Sequence, residues 1–288
     1  MTGTAPAPAY FDAARDAGAL TRVAGARCVM GAATDSLNGE HSCLVEYADP
    51  QALARSGWAA ELLAHAMRVH PTVHGVLLRT EPGVELPAPW TRHLTYLRHD
   101  GPPEDHRTDP DAGDVTIAAA TTDQTALVLG WLADAFQAGA RDQGIDVGRD
   151  TAHDHASQLL AVPGRHSLVA ATAGQPVGHA TMLPFTDDVT GTEYTELFDV
   201  LVRPTADVRT ITAALVDACL AHVARTGLPL LGNVIHQRVT AGASDRGDRV
   251  VASLLKKGWR TEHCYWRAPA GPPANATTPP PPPDREPT

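Results

Sequence analysis

Along the second half of the chain the spacing of apolar positions changes repeatedly, and each change marks an element. Residues 115–119 read as a short strand. Thr122 is a suitable N-cap ahead of a run that puts Val128, Leu132, Ala135 and Phe136 on one helical face. A second short helix is expected near 155–160. Residues 166–172 and 177–183 follow as two strands, read as a hairpin joined by Gly174, Gln175 and Pro176. A further strand spans 196–202 and runs into Arg203 and Pro204. The next helix covers about 210–226, where Gly227 and Pro229 stop it. An apolar strand at 230–235 and a helix over 248–257, ended by Gly258, complete the series. Strands alternating with helices in this order predict a mixed α/β sheet.

The first half carries part of the same pattern. Residues 43–47 form a strand, 50–68 a helix carrying Leu62, Leu63 and Met67, and 73–79 a second strand. The helix sequence at 59–65 echoes that at 213–219, which suggests a degenerate internal copy, although Ala and Leu are the commonest helix residues. Residues 90–99 either close this half or pair with the C-terminal sheet. Between the halves, residues 101–113 are polar and rich in Pro and Asp, unable to build a core, and are read as a linker. The expected organisation is a flexible N-terminus (1–9), an accessory or degenerate domain (10–100), the linker, a main domain (114–268) and a disordered Pro-rich tail (269–288), in which Pro279 to Pro283 are consecutive.

Composition narrows the functions this organisation can serve. The 288 residues suffice for one large or two small cores, and a net charge of -10 argues against a general nucleic-acid binder. Cys28, Cys43, Cys219 and Cys264 are far apart and suggest neither a zinc site nor a disulfide framework. His153 and His155, at i and i+2 on a helix, point apart, so no metal is expected. No basic start leads into an apolar run of about 7–15 residues, and no stretch nears the ~18 apolar residues of a membrane span. A cytoplasmic protein, monomer or homodimer, is the expectation. Lys occurs only at positions 256 and 257 among 23 basic residues, a bias that hints at a bacterial source.

The strand, helix, strand and Leu-Leu-Lys-Lys-Gly-Trp ending over 196–259 resembles the cofactor half of the GNAT superfamily of N-acyltransferases. The element order over 114–267 is similar to that family's, and the first half resembles a truncated GNAT-like unit. The resemblance implies the GNAT fold, possibly in tandem, and transfer of an acyl group from acetyl-CoA or another acyl-CoA to a primary amine of a small molecule or peptide. It further implies that Glu196, 11 residues before the phosphate-loop position at Asp207, is the general base. A carboxylate on a central strand beside a cleft is partly desolvated, which raises its pKa toward the working pH; the plainer reading is a solvated residue in the strand's first turn.

By the same resemblance, the backbone N–H of Val200 polarises the thioester carbonyl. Leu201, Val202, Val208, Arg209, Thr210, Ile211, Thr212, Ala213 and Asn233 surround the cofactor. His179, Asp199 and His236 are substrate-side candidates, with an exposed strand position for His179 and a surface loop for His236 as the plainer readings. Two departures stand out. Asp207, Thr210 and Thr212 replace the cation or amide and the small residues of the family's phosphate loop, so that these residues either cap the helix or rebuild the cradle with hydroxyls and Arg209. Leu254 replaces the usual tyrosine acid, leaving Ser253 or water to protonate the thiolate. The alternatives are a catalytically silent GNAT-fold protein that binds a ligand or a subunit, and a transferase with a non-acetyl donor.

Overall fold

The computed structural model describes residues 5–101, 115–204, 207–236 and 246–270. Apart from Gly101, Pro269 and Ala270, the segments read above as linker and tail lie outside the described residues.

The first half supplies α1 (Pro8–Asp16), β1 (Leu20–Val23), β2 (Ala26–Thr34), β3 (His41–Ala48), the single turn α2 (Pro50–Leu53), α3 (Trp58–Val69), β4 (Gly75–Thr80) and β5 (Thr91–His99). The second supplies β6 (Val115–Ala119), α4 (Thr125–Asp142), α5 (Arg149–Leu160), β7 (His166–Thr172), β8 (Gln175–Thr186), β9 (Glu193–Val202), α6 (Val208–Thr226), β10 (Leu230–Ile235), α7 (Arg246–Leu255) and β11 (Arg260–Pro269). The eleven strands of the described residues form one mixed sheet in the order β1-β2-β3-β4-β11-β5-β10-β9-β8-β7-β6. No helix among the described residues is long and apolar enough to cross a membrane.

Several local expectations need correction. The helix expected over 50–68 is two helices, because Gly57 at φ 82 takes a left-handed conformation that ends one element before the next begins. The cap expected at Thr122 is Thr121, whose side chain and that of Gln124 cap each other's backbone reciprocally before α4. The hairpin turn is Ala173-Gly174, at φ 48 and 75, with Gln175 and Pro176 already in the strand; a two-residue turn of this twist needs positive φ at both positions. α1, β1 and β2 escaped sequence reading. β1 has only four residues, and β2 buries Cys28, Val29 and Met30 in a row instead of alternating. The chain is already tied down at Ala7, whose N–H donates to the Val189 carbonyl at 2.8 Å.

A repeated unit organises the sheet. β8 runs antiparallel to β9, and after α6 the chain returns as β10, parallel to β9. In the first half β2 runs antiparallel to β3, and after α2 and α3 the chain returns as β4, parallel to β3. The two units do not close separately. β11, last in the chain, lies between β4 and β5, while β5 lies between β11 and β10. Cys264, Trp266 and Ala268 of β11 therefore complete the core under α3, with Trp58, Leu62 and Leu78, and Leu97 of β5 packs with Trp259 in the core under α6. A third cluster joins α4 and α5 to the opposite face of the sheet through Val169, Leu183 and Phe198. Leu37, from the loop after β2, packs against that cluster as well.

Candidate active site

The parallel strands β9 and β10 pair at only three positions, Thr195, Glu196 and Leu197 with Leu230, Leu231 and Gly232. Beyond them β9 stays with β8 as far as Val202, and β10 stays with β5 as far as Ile235, so the two part and leave a V-shaped opening. A register skip in β9 leaves Phe198 unpaired, between the Thr181–Asp199 and Met182–Leu197 pairs. This bulge sends Leu197 and Val200 into the α6 core and Phe198 toward α4 and α5. At the adjoining edge β8 approaches so closely that a Cβ on Gly178 would lie 2.6 Å from the Leu201 carbonyl oxygen, which requires glycine there.

Glu196 sits at the root of the opening. Its cross-strand neighbours are Leu231 and Leu183, both buried, and burial raises its pKa to about 7. At neutral pH it therefore exists in both forms, able to accept a proton and to release it.

Directly opposed residues of neighbouring strands share a face, and the registers trace a polar row from Glu196 into the first half. Tyr96 of β5 opposes Asn233 on one side and His263 on the other; two residues along β11, Tyr265 opposes Arg79. Tyr96 and His263 stack with ring centroids 4.4 Å apart. Burial, and next the Glu196 carboxylate, raise the Tyr96 phenol, so it remains protonated. Burial and the neighbouring Arg79 cation push His263 down to about 3, which keeps the imidazole neutral. Arg79 donates to Asp187 in two hydrogen bonds, one of them 2.9 Å long from Nη1 to Oδ1. Although burial opposes it, this guanidinium holds Asp187 below the usual carboxylate range. Sequence reading missed Tyr96, His263, Tyr265 and Arg79. They come from β5, β11 and β4, and no spacing along the chain signals that they meet.

The opening of α6 is built as a cap. The Asp207 side chain accepts from the Thr210 N–H at 3.3 Å, and the Ile211 N–H donates to the Asp207 carbonyl. The Thr212 hydroxyl turns back to the Val208 carbonyl at 2.8 Å, so it does not rebuild a phosphate cradle. The side chain of Ile211 is core, Ala213 is half-buried, and Val208 and Arg209 are exposed. A carboxylate that engages a first-turn donor fits a pyrophosphate poorly. Cations do stand nearby in the chain, at Arg203 and Arg209, and α7 exposes Arg246, Arg249 and Ser253 along an open depression of about 340 Å³.

The remaining sequence candidates separate by face. Asp199 is partly exposed, and its Oδ2 lies 3.3 Å from Nε2 of His179. His179 is fully buried, stacked on Trp131 at 5.6 Å and 11°, so it reaches the cleft only through Asp199. Its Nδ1 is 3.3 Å from the Thr181 hydroxyl. His236 is also buried, bonded to Thr95 at 2.9 Å, with its ring over Gly247. Thr95 alternates with Tyr96 along β5, which puts His236 on the α7 side of the sheet, opposite Glu196. On α7, Leu254 packs into the core while Ser253 is exposed.

Comparison with known proteins gives one family. Residues 128–237 match the acetyltransferase (GNAT) family. No curated protein matches the chain. Among solved structures, similar ones include a GNAT-family acetyltransferase from Colwellia psychrerythraea (14% identity, 86% of this chain and 81% of that one, TM-score 0.47). A tandem GNAT protein from the clavulanic acid biosynthesis pathway has 16% identity over 87% and 82%, at TM-score 0.45. A functionally unknown conserved protein from Staphylococcus epidermidis has 12% identity over 82% and 91%, at TM-score 0.46. At these identities and scores the similarities say nothing about substrate.

Proposed function

Residues 128–237 belong to the acetyltransferase (GNAT) family, and from that premise we propose that the protein is an N-acyltransferase that moves an acyl group, in the first instance acetyl from acetyl-CoA, to a primary amine of a small molecule or peptide. The observation that carries this reading is the buried Glu196, raised to about 7, at the root of the opening between β9 and β10. A base poised near the working pH takes the proton from the ammonium form of the acceptor most effectively.

The sheet separates the two substrates. The donor enters the opening between the parted ends of β9 and β10, where Leu201, Val202 and Asn233 flank its acyl arm. The amine approaches from the face that carries Glu196, Tyr96 and Asp199. Glu196 removes a proton from the ammonium, directly or through one water, and the free amine attacks the thioester carbonyl. The backbone N–H of Val200 stabilises the oxyanion as it forms. Collapse of the tetrahedral intermediate breaks the carbon–sulfur bond and releases the thiolate, while the second proton of the attacking nitrogen passes to that thiolate or to water, leaving the neutral amide. A thiolate leaves without a dedicated acid at modest cost, so Leu254 and the exposed Ser253 do not block the reaction. Tyr96, a neutral phenol, orients the acceptor beside the carboxylate.

The Asp207 cap favours a second reading of the donor: an acyl thioester that depends little on its pyrophosphate. A turnover assay on a panel of primary amines, with acetyl-CoA and acetyl-pantetheine compared as donors, tests both. Amide product with a kcat/KM much higher for acetyl-CoA supports the first reading, and near-equal values support the second. Absence of amide product with either donor would overturn the transferase assignment in favour of a catalytically silent ligand- or subunit-binding protein.

A further inference from the structure

The first half contains an opening of its own. β3 and β4 pair from Ser42–Gly75 to Val45–Leu78 and then part, as β9 and β10 do. At the carboxyl ends of these two strands lies a cavity of about 250 Å³. The crevice beyond the carboxyl ends of neighbouring parallel strands is where α/β sheets commonly hold ligands, and this volume lies below the ~300–1,000 Å³ of drug-sized pockets. The enclosure is built from both halves of the chain. The turn between β8 and β9 is fastened over it by the Arg79–Asp187 pair, and residues 5–7 are fastened to that turn through Ala7 and Val189.

Charge decides what such a cavity can accept. Among the described residues the one cation facing it, Arg79, is engaged by Asp187, and His263 beside it is neutral. Of the facing carboxylates, Glu262 is satisfied by the Tyr194 hydroxyl at 2.8 Å. Glu46, half-buried, has among the described residues one hydrogen bond, from the Tyr10 hydroxyl at 3.4 Å, and Glu81 stands at the exposed rim. Burial and the Asp188 carboxylate raise Glu46, against the Arg79 cation and the Tyr10 hydrogen bond, which lower it. The other walls are Ala48, Pro50, Leu53 and the ring of Tyr47, suited to an alkyl chain and, at the ring face, to a cation.

We propose that this cavity is a second ligand site, distinct from the transferase opening, and that it takes a compact alkylammonium ion with its nitrogen on Glu46 and its chain along Pro50 and Leu53. Any acidic cleft attracts cations weakly; here the concave shape, the apolar wall and the Glu46 carboxylate, held by one long hydrogen bond from Tyr10, act together on one end of a small amine. The site does not depend on Glu196 being the base.

Calorimetric titration of the full chain with butylammonium chloride at constant ionic strength tests this, in the Glu196→Gln background so that an amine in the transferase cleft does not contribute. Saturable one-site binding is expected. It should weaken tenfold or more when Glu46→Gln is added, and equally when Leu53→Trp fills the cavity without altering charge, with circular dichroism establishing that each variant is folded. Absence of saturable binding overturns the proposal, as does unchanged affinity in both variants or tighter binding of butyrate than of butylammonium. An active Glu196→Gln enzyme would refute the assigned base and leave this second site standing.

Discussion

The two strand openings share a topology and differ in chemistry. Between β9 and β10, Glu196 stands among Leu183 and Leu231, and what faces it is the neutral phenol of Tyr96. Between β3 and β4, Glu46 stands beside Arg79, Tyr10 and the Asp187 pair. The first opening is followed by α6, 19 residues long, whose amino end points back toward the strand ends; the second by the four-residue α2, which has no appreciable dipole. A parting of parallel strands is thus only a place for a ligand. What it does there depends on whether the adjacent carboxylate, as at Glu196 among the described residues, is raised by burial and so poised to exchange protons, or is set among charges that bind.

The comparison breaks most visibly at Arg79. Arg79→Met leaves the Asp187 charge buried with only the Val189 and Thr190 N–H groups to hold it, and the loss should be about 3 kcal/mol in denaturant unfolding. A loss under 1 kcal/mol would show that the pair is dispensable and that the roof of the opening between β3 and β4 is held by other contacts. Glu196 should show its isolation in the pH dependence of stability. Its carboxyl is raised on folding from 4.5 to about 7, so the folded state holds this proton more tightly than the unfolded state does. That contribution is complete below pH 4.5 and is lost as pH rises toward 7, by about 3 kcal/mol at most. Glu196→Gln should remove this slope, and a variant whose stability follows the wild-type pH curve would contradict it.

On turnover, Glu196→Gln should lower kcat/KM about 100-fold at pH 7, and the wild-type rate should climb tenfold per unit below pH 7 and level off above. A wild-type rate independent of pH would reassign the base. The smallest effect belongs to the helix end. Asp207→Asn retains a capping oxygen but removes the charge, and it should lower KM for acetyl-CoA about threefold. An unchanged KM would argue that the phosphates bind elsewhere, with Arg246 and Arg249 of α7 the next residues to substitute.

Much of the second half was legible because its elements are long enough for periodicity to speak. β6, β7, β10 and α6 fall within a few residues of where the pattern of apolar positions puts them. The register of β8 was blurred by a turn that depends on φ at Ala173 and not on Pro176. In the first half, Gly57 reads equally well as an interior glycine or a break, and β1 and β2 are too short or too unevenly buried to alternate.

By itself the sequence determined the order of strands and helices, the 11-residue interval from Glu196 to Asp207, and the absence of a small-residue loop at the head of α6, all of which are local properties. The tertiary structure alone decided that the last strand completes the first core, that β5 brings Tyr96 beside Glu196, and that Glu196 is dry enough to titrate near 7. Each of these depends on which strands are neighbours. Side-chain alternation tells a strand which two faces it has but not which strand lies next to it, and burial is a sum over every neighbour at once.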